Sequence, residues 1–189
     1  MPILTLDRLG DLPAAQWNAL LADAQPFVQH GFLSVLEDSG SVGPDTGWQP
    51  AHRLLVDAHG APLAALPGYV KQHSYGEYVF DMAWADACAR AGIDYYPKLL
   101  TAVPFTPVTG ARLLGDGTLL SPLLDEISAG LPGQGLSSWH VNFTDAAADQ
   151  LLRGRDGWLE RLGCQFLWHN RGYRDFADFL DQLTSRKRK

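Results

Sequence analysis

One stretch, residues 71–112, constrains the fold of this 189-residue chain more than any other. From Tyr75 onward polar and apolar side chains alternate, which predicts a strand over Lys71–Phe80 with Tyr75, Glu77 and Asp81 along one face. Two carboxylates and a phenol do not suit a plain core, so this face is predicted to look onto a cleft or onto solvent. The stretch is therefore the first place to look for a functional site.

Two prolines follow within the apolar, threonine-rich run 103–110. Because proline lacks a backbone N–H, the strand predicted over Lys98–Val103 must end or splay there, which leaves backbone groups available to a ligand. Thr106 and Thr109 lie beside these prolines and offer hydroxyl or N–H donors to an oxyanion. The alternative for both threonines is ordinary polarity at a strand end.

The rest of the chain alternates predicted strands and helices. A hairpin is indicated at His59–Gly60, where a tight turn separates two apolar runs. The predicted strands are 3–6, 53–57, 62–80, 98–103, 137–143 and 164–169; the predicted helices are 13–24, 28–38, 81–91, 122–131, 146–152, 158–162 and 175–183.

This order predicts an α/β (α+β) fold. The first half supplies an antiparallel hairpin and the second half supplies helical crossovers, so we expect a single mixed, mainly antiparallel sheet flanked by helices. Residues 71–80 and 98–103 should be neighbours at its centre. At this length, one domain over residues 1–189 is expected.

The composition of the chain limits the classes of binding partner and the cellular compartment that we expect for it. Charged residues make up 19% of the chain, below the roughly 25% of an average domain, so part of the surface is expected to be covered by a ligand, a partner or further chain. A formal net charge of −6 disfavours nucleic acid as the main partner. Cys88 and Cys164 lie far apart and the histidines show no ligand spacing, so we expect free thiols and no metal. Without a long apolar run or a basic signal sequence, the chain is predicted to be cytoplasmic.

The element order resembles the GNAT acyltransferase fold, and WLERLGC at 158–164 is similar to the helix end that leads into the closing strand of that fold. More specifically, HSYGEYVFDMAWADA, YYPKLLTAVPFTPVTGARLL and QFLWHNRGY are similar to a bacterial family of FemAB-like, peptidoglycan-biosynthesis-type GNAT proteins. The resemblance runs over nearly the whole chain. It implies the N-terminal half of a longer tandem-GNAT protein, with residues 175–189 beginning a linker helix.

The resemblance also implies an activity. An acyl or aminoacyl group would be transferred from an acyl-CoA or aminoacyl donor to a small-molecule or peptide amine acceptor, in peptidoglycan or cell-wall metabolism. Aminoacyl-tRNA is the one nucleic acid that fits this scheme, as a donor.

In GNAT proteins the pyrophosphate of the donor lies on an R/Q-x-x-G-x-G/A turn that opens a helix. Arg112, Gly115 and Gly117 have this spacing, so the resemblance implies that they bind the cofactor. Asp116 adds a negative charge to the same turn. The alternative is a solvent-exposed turn between a strand and a helix.

Glu77 and Asp81 are the candidate bases. Two carboxylates that share a desolvated cleft raise one pKa toward the range useful for deprotonating an amine. The alternative is that they are rim carboxylates or that they pair with Lys71, Arg90 or Lys98.

Further candidates surround this pair. Tyr75, or Tyr78, could protonate a leaving thiolate, although tyrosines on a half-buried strand usually serve packing. Trp84 could form an apolar wall over the acceptor or belong to the core. The predicted substrate-binding set is Trp84, Asp86, Lys98, Thr106 and Thr109.

Two functions of different classes remain open. One is an acyltransferase half-domain; the other is a catalytically silent GNAT-like module kept for binding or dimerisation. In both cases we expect an apolar patch of several hundred Å² beside the central strands, covered by the missing C-terminal half or by a second copy of the chain.

Overall fold

The computed structural model describes residues 1–23, 25–164, 166 and 168–188. Within these residues the strands are β1 (Ile3–Leu6), β2 (Trp48–Pro50), β3 (His52–Val56), β4 (Pro62–Leu66), β5 (Gly68–Lys71), β6 (Lys98–Thr101), β7 (Leu114–Gly115) and β8 (Trp139–Val141). The helices are α1 (Ala14–Asn18), α2 (His30–Asp38), α3 (Met82–Arg90), α4 (Gly117–Gly130), α5 (Ala146–Leu152) and α6 (Phe176–Asp181).

The strands form two four-stranded sheets. One sheet has the order β1-β3-β4-β7 and is antiparallel throughout; the other has the order β2-β5-β6-β8, with β6 and β8 parallel. The predicted α+β class and its mainly antiparallel pairing are confirmed, and so is the pairing of β5 with β6. The prediction of a single sheet is corrected to two.

The division into two sheets follows from prolines in the long hairpin. Pro50 ends β2 and Pro67 separates β4 from β5, and neither residue can donate a ladder hydrogen bond. Between them the Ala51 N–H donates to the Gly68 carbonyl at 2.8 Å, so the two strands stay paired as they pass from one sheet to the other. Each arm of the hairpin therefore serves both sheets.

Helices cover both faces of the first sheet, which agrees with the burial of all five residues of β3. Leu54 and Val56 pack into a cluster that includes Trp17 of α1 and Leu33 of α2. Leu55 points the other way, into a cluster built largely from α4. A smaller cluster, with Trp48, Tyr69 and Leu100, lies under the second sheet.

The predicted strand over Lys71–Phe80 is wrong beyond its first residue. Strand β5 ends at Lys71, and residues 72–81, here called the site loop, have no regular structure. Gly76 has φ +79°, in a turn closed by a hydrogen bond from the Glu77 N–H to the Ser74 carbonyl. Left-handed conformations at three positions of this loop exclude a strand, because extended backbone requires negative φ.

Other boundaries also differ from the predictions. Helix α4 begins at Gly117 rather than at Pro122, because Asp116 caps it by accepting from the Thr118 N–H at 2.9 Å. Helix α1 is shorter than predicted, and residues 158–162 are not helical. The predicted strand 164–169 includes positions 165 and 167, which lie outside the described residues.

The chain divides into two compact units, Met1–Trp158 and Leu159–Lys189. The first contains both sheets and the three clusters of buried apolar side chains. The second contains α6 and a group of aromatic contacts in which Trp168 stacks on Tyr173. The single-domain expectation stays a prediction. Across the part of the chain that the structure describes, no helix is both long and apolar enough to cross a membrane.

Candidate functional site

The site is built on a pair of lysines in the second sheet. In the register of β5 and β6, Lys71 lies directly opposite Lys98. Like charges at facing strand positions repel each other. Both side chains are nonetheless closed to solvent, so the surrounding structure must compensate for two buried cations.

Lys98 is compensated by the site loop. Its ammonium group donates to Asp81 Oδ2 at 2.8 Å, to Glu77 Oε2 at 3.0 Å and to the Ser74 hydroxyl at 2.8 Å. Glu77 is 3% exposed and Asp81 is fully buried. The alternative in which these carboxylates pair with a lysine is therefore realised, with Lys98 as the shared partner.

Two tyrosines just before β6 complete the surroundings of Lys98. The Tyr95 hydroxyl donates to Asp81 Oδ2 at 2.8 Å, and the Tyr96 hydroxyl lies 2.8 Å from the Ser74 hydroxyl. Their ring centroids are 5.2 and 5.4 Å from the Lys98 ammonium, which is within the range of a cation–π attraction. We call Ser74, Glu77, Asp81, Tyr95 and Lys98 the Lys98 cluster.

Lys71 is compensated less completely. Its ammonium donates to the Tyr75 carbonyl at 3.2 Å and stands 3.6 Å above the centroid of the Trp48 ring. Burial lowers the pKa of Lys71 from 10.5 to about 7; the charge of Glu77 opposes this shift, and the charge of Lys98 adds to it. A substantial fraction of Lys71 is therefore neutral at physiological pH.

The two carboxylates are pushed apart in their pKa values. Burial raises the pKa of Glu77, and its contact with Lys98 offsets only part of that effect. Burial acts in the same way on Asp81, but hydrogen bonds from Lys98, Ser74 and Tyr95 outweigh it and lower the pKa of Asp81 from 3.8 to about 2. Such a divergence is typical of a pair in which one group takes up a proton and its neighbour stays charged.

One oxygen of each carboxylate is left over. Glu77 Oε1 and Asp81 Oδ1 are buried without a hydrogen-bond partner among the described residues. Unsatisfied buried acceptors cost free energy, about 1–3 kcal/mol each. These two oxygens are therefore available to accept a hydrogen bond from a donor such as an ammonium group.

These carboxylates also come near His140 of β8. Ligand atoms of Glu77, Asp81 and His140 all lie within 4.8 Å of one another, a spacing that a metal ion could use. The Lys98 ammonium, however, already stands between the two carboxylates as their counter-ion. A divalent cation would have to be bound beside that fixed positive charge, which disfavours a metal here.

Several predicted site residues lie outside this cluster. Tyr75 is 80% exposed, and Trp84 and Asp86 are exposed on α3. Thr106 donates to the Pro104 carbonyl, and the Thr109 carbonyl accepts from the Gln25 side chain. Of the eight predicted catalytic and substrate-binding residues, the structure brings Glu77, Asp81 and Lys98 into mutual contact.

The turn predicted to hold the cofactor pyrophosphate is occupied by contacts within the protein. Arg112 is buried and donates to the carbonyls of Val108, Ala111 and Asn142 at 2.5–3.0 Å. The Gly115 N–H donates to the Leu20 carbonyl, and Gly117 opens α4 behind the carboxylate cap of Asp116. In this arrangement the turn does not fit a pyrophosphate group, because Arg112 and the Gly115 N–H already donate within the protein and the Asp116 carboxylate occupies the helix end.

Sequence reasoning missed Ser74, Tyr95 and Tyr96 as parts of the site and considered Lys71 only as a possible ion-pair partner. A signal was present in the sequence. Lys71 directly follows an apolar run, and Lys98 directly precedes one, with Tyr95 and Tyr96 just before it. Lysine is almost never fully buried without a partner, so a lysine at such a position predicts a nearby acid. Only the strand register could show that the two lysines share that requirement.

Comparison with known proteins places the chain in a family. Residues 8–189 match the FemAB-like family, which is described as peptidoglycan biosynthesis/recognition. The chain belongs to this family, as the sequence resemblance indicated. Among curated proteins, none matches the chain.

Proposed function

We propose that this chain binds an amine acceptor from peptidoglycan metabolism and takes the proton from that amine during N-acyl transfer. The observation that carries the proposal is the divergent carboxylate pair: Glu77 with a raised pKa and a free buried oxygen, beside Asp81 with a lowered pKa. Membership of a family described by peptidoglycan biosynthesis/recognition supports the class of acceptor.

In this proposal Glu77 Oε1 accepts a proton from the ammonium group of the acceptor. The free amine then attacks the donor carbonyl: the C–N bond forms as the carbon–sulfur or carbon–oxygen bond of the donor breaks, and the departing thiolate or alkoxide takes up the second proton that the nitrogen loses. Asp81 and Lys98 keep Glu77 in place. Lys98 stays bound to Asp81, which remains charged after Glu77 has taken up the proton. Because Glu77 is 3% exposed, the site loop must open for the acceptor to reach it.

The acyl donor, an acyl-CoA or an aminoacyl ester, supplies the activated carbonyl when it binds. The contacts of Arg112, Gly115 and Asp116 do not support a donor site on that turn. The proposal therefore assigns acceptor binding and proton transfer to this chain and leaves donor binding to other residues. The GNAT-like character of the fold and a partner that completes the site, whether a further half or a second copy, belong to the same proposal.

A recognition module without catalysis is the second candidate. The closed Lys98 cluster and the occupied turn at Arg112 favour it, since both are also what a purely structural ion cluster and a purely structural turn would show.

The test is acyl transfer to a lysine-containing stem peptide, with acetyl-CoA and with aminoacyl esters as donors, in wild type and in Glu77→Gln. We expect the variant to bind the peptide normally and to lose roughly 10²–10⁴-fold in kcat, the range for removal of a general base. The matched control is Glu126→Gln, an exposed carboxyl of α4. Peptide binding without transfer in wild type would establish the recognition module; equal kcat in wild type and Glu77→Gln would remove Glu77 from the mechanism.

A further inference from the structure

The site loop, which carries Glu77 and Asp81, also exposes a set of aromatic side chains. Tyr75, Tyr78 and Phe80 of the site loop are 80%, 50% and 72% exposed, and Phe105 is 42% exposed. Phe105 belongs to the same surface, because a methyl group added at Gly76 would lie 2.7 Å from its ring. We call these four residues the aromatic rim. Exposed apolar side chains that are concentrated in one loop are candidates for an interaction surface.

The backbone under the rim is strained. Tyr78, Phe80 and Phe105 have φ values of 60°, 50° and 57°, in the left-handed region that bulky side chains disfavour. Glycine would adopt these conformations at lower cost. The Phe105 ring packs on the buried Trp48 ring, with 5.4 Å between centroids, whereas half or more of Tyr78 and Phe80 is exposed. Aromatic residues kept at strained, exposed positions point to a role in binding rather than in stability.

The exposed part of the site loop carries no charge. Its exposed side chains are Gln72, Tyr75, Tyr78 and Phe80, whereas its two charged residues, Glu77 and Asp81, are buried on Lys98. A charged peptide or a phosphate would find no complementary group on this loop surface. The surface suits a neutral ligand with one apolar face and hydrogen-bonding edges.

We propose that the aromatic rim binds the sugar rings of a peptidoglycan glycan. The C–H face of an N-acetylated hexose packs on an aromatic ring, and its hydroxyl and amide edges can bond to the Tyr75 and Tyr78 hydroxyls and the Gln72 amide. The choice of this ligand class rests on the proposed function. The rim and the acid pair would then bind different parts of one substrate: the glycan would lie on the rim, and the amine of the peptide would reach Glu77.

The experiment titrates an uncharged β-1,4-linked N-acetylglucosamine tetrasaccharide into the full chain and follows it by ligand-observed NMR and calorimetry. The variants are Tyr78→Gly and Phe80→Gly, and the control is Phe176→Ala, an exposed aromatic residue of the second unit. We expect each rim variant to weaken binding at least about tenfold and the control to leave it unchanged. Tm of the rim variants should not fall, because glycine relieves the strained φ.

Three results would overturn the inference: no binding of the tetrasaccharide to wild type, a fall in Tm that parallels the loss of binding, or self-association that the glycine variants abolish. The last would assign the rim to contact between copies of the chain. Glu77→Gln separates the two proposals, because it should leave tetrasaccharide binding intact. Acyl transfer to a stem peptide without tetrasaccharide binding would overturn only the rim, and the reverse result would overturn only the acyl-transfer proposal.

Discussion

Lys71, the last residue of β5, and Lys98, the first residue of β6, are paired across the two strands, yet they differ in their electrostatic surroundings. Lys98 has two carboxylates within 3.0 Å, whereas Lys71 has one carbonyl and the face of Trp48. A buried ammonium with so few partners pays a desolvation cost that its neighbours do not offset. The difference between the two lysines can be measured through the pH dependence of stability.

The pKa of Lys71 is about 7 in the folded chain, against 10.5 for the free side chain. Between these values the unfolded chain binds more protons than the folded chain, so the free energy of unfolding should rise with pH. We expect a rise of roughly 1–3 kcal/mol from pH 7 to pH 9.5, measured by urea unfolding.

Lys71→Met should abolish this rise, whereas Lys187→Met, at an exposed lysine near the C-terminus, should retain it. A wild-type stability that is flat or falling over this pH range would show that Lys71 keeps its charge in the folded protein.

At the scale of elements, the site depends on a loop that follows β5 without a break. The Trp48 indole N–H donates to the Tyr75 carbonyl at 3.1 Å, the same carbonyl that accepts from Lys71. After the turn at Gly76, the Glu77 side chain is buried. Tyr75, before the turn, and Tyr78, after Glu77, are both exposed. One turn therefore sets both the buried acid and the exposed rim.

Gly76→Ala should disrupt this turn. Its φ of +79° disfavours any side chain, and an added Cβ would also meet the Phe105 ring at 2.7 Å. We expect a loss of roughly 1–3 kcal/mol in the free energy of unfolding, together with a changed environment of Trp48 detected by fluorescence.

The matched control for this prediction is Gly60→Ala in the hairpin turn. Gly60 has a similar φ of +84° but open space around it, so it should lose only the conformational part, about 1 kcal/mol. Equal losses in the two variants would mean that the packing of Phe105 on Gly76 does not hold the loop.

At the scale of the whole molecule, burial is unevenly divided between the two units. Every buried apolar side chain of the described residues lies between Leu9 and Ala148, within the unit Met1–Trp158. The described residues of Leu159–Lys189 include large exposed apolar side chains, among them Leu159, Leu162 and Phe176. Because the described residues of this segment bury no apolar side chain, we expect that it does not fold on its own.

We therefore predict that a chain of residues 1–158 folds alone, with a Tm within about 5 °C of the full chain. A peptide of residues 159–189 should show little structure by circular dichroism. Aggregation or non-cooperative unfolding of the 1–158 chain would show that the second segment is needed for the stability of the first.

The polar and aromatic density of residues 71–112 was enough to locate the candidate site and to single out Glu77, Asp81 and Lys98. The strand that was supposed to align them does not exist. A period of two in seven residues predicts a strand only where the backbone can extend, and Gly76 and its strained neighbours prevent that. The charged and aromatic residue types identified these positions, but the strand conformation predicted for them was wrong.

The sequence by itself determined the elements that depend on neighbours along the chain: the hairpin at His59–Gly60, helix α3, and helix α5 behind its Asp145 cap. These depend on hydrogen bonds and side-chain periodicity within a few residues. Only the tertiary structure decided that Lys71 faces Lys98 and that Arg112 turns to the Asn142 carbonyl. Such contacts join residues far apart in sequence, and they exist because buried charges must be satisfied by whatever groups the strand register brings within reach.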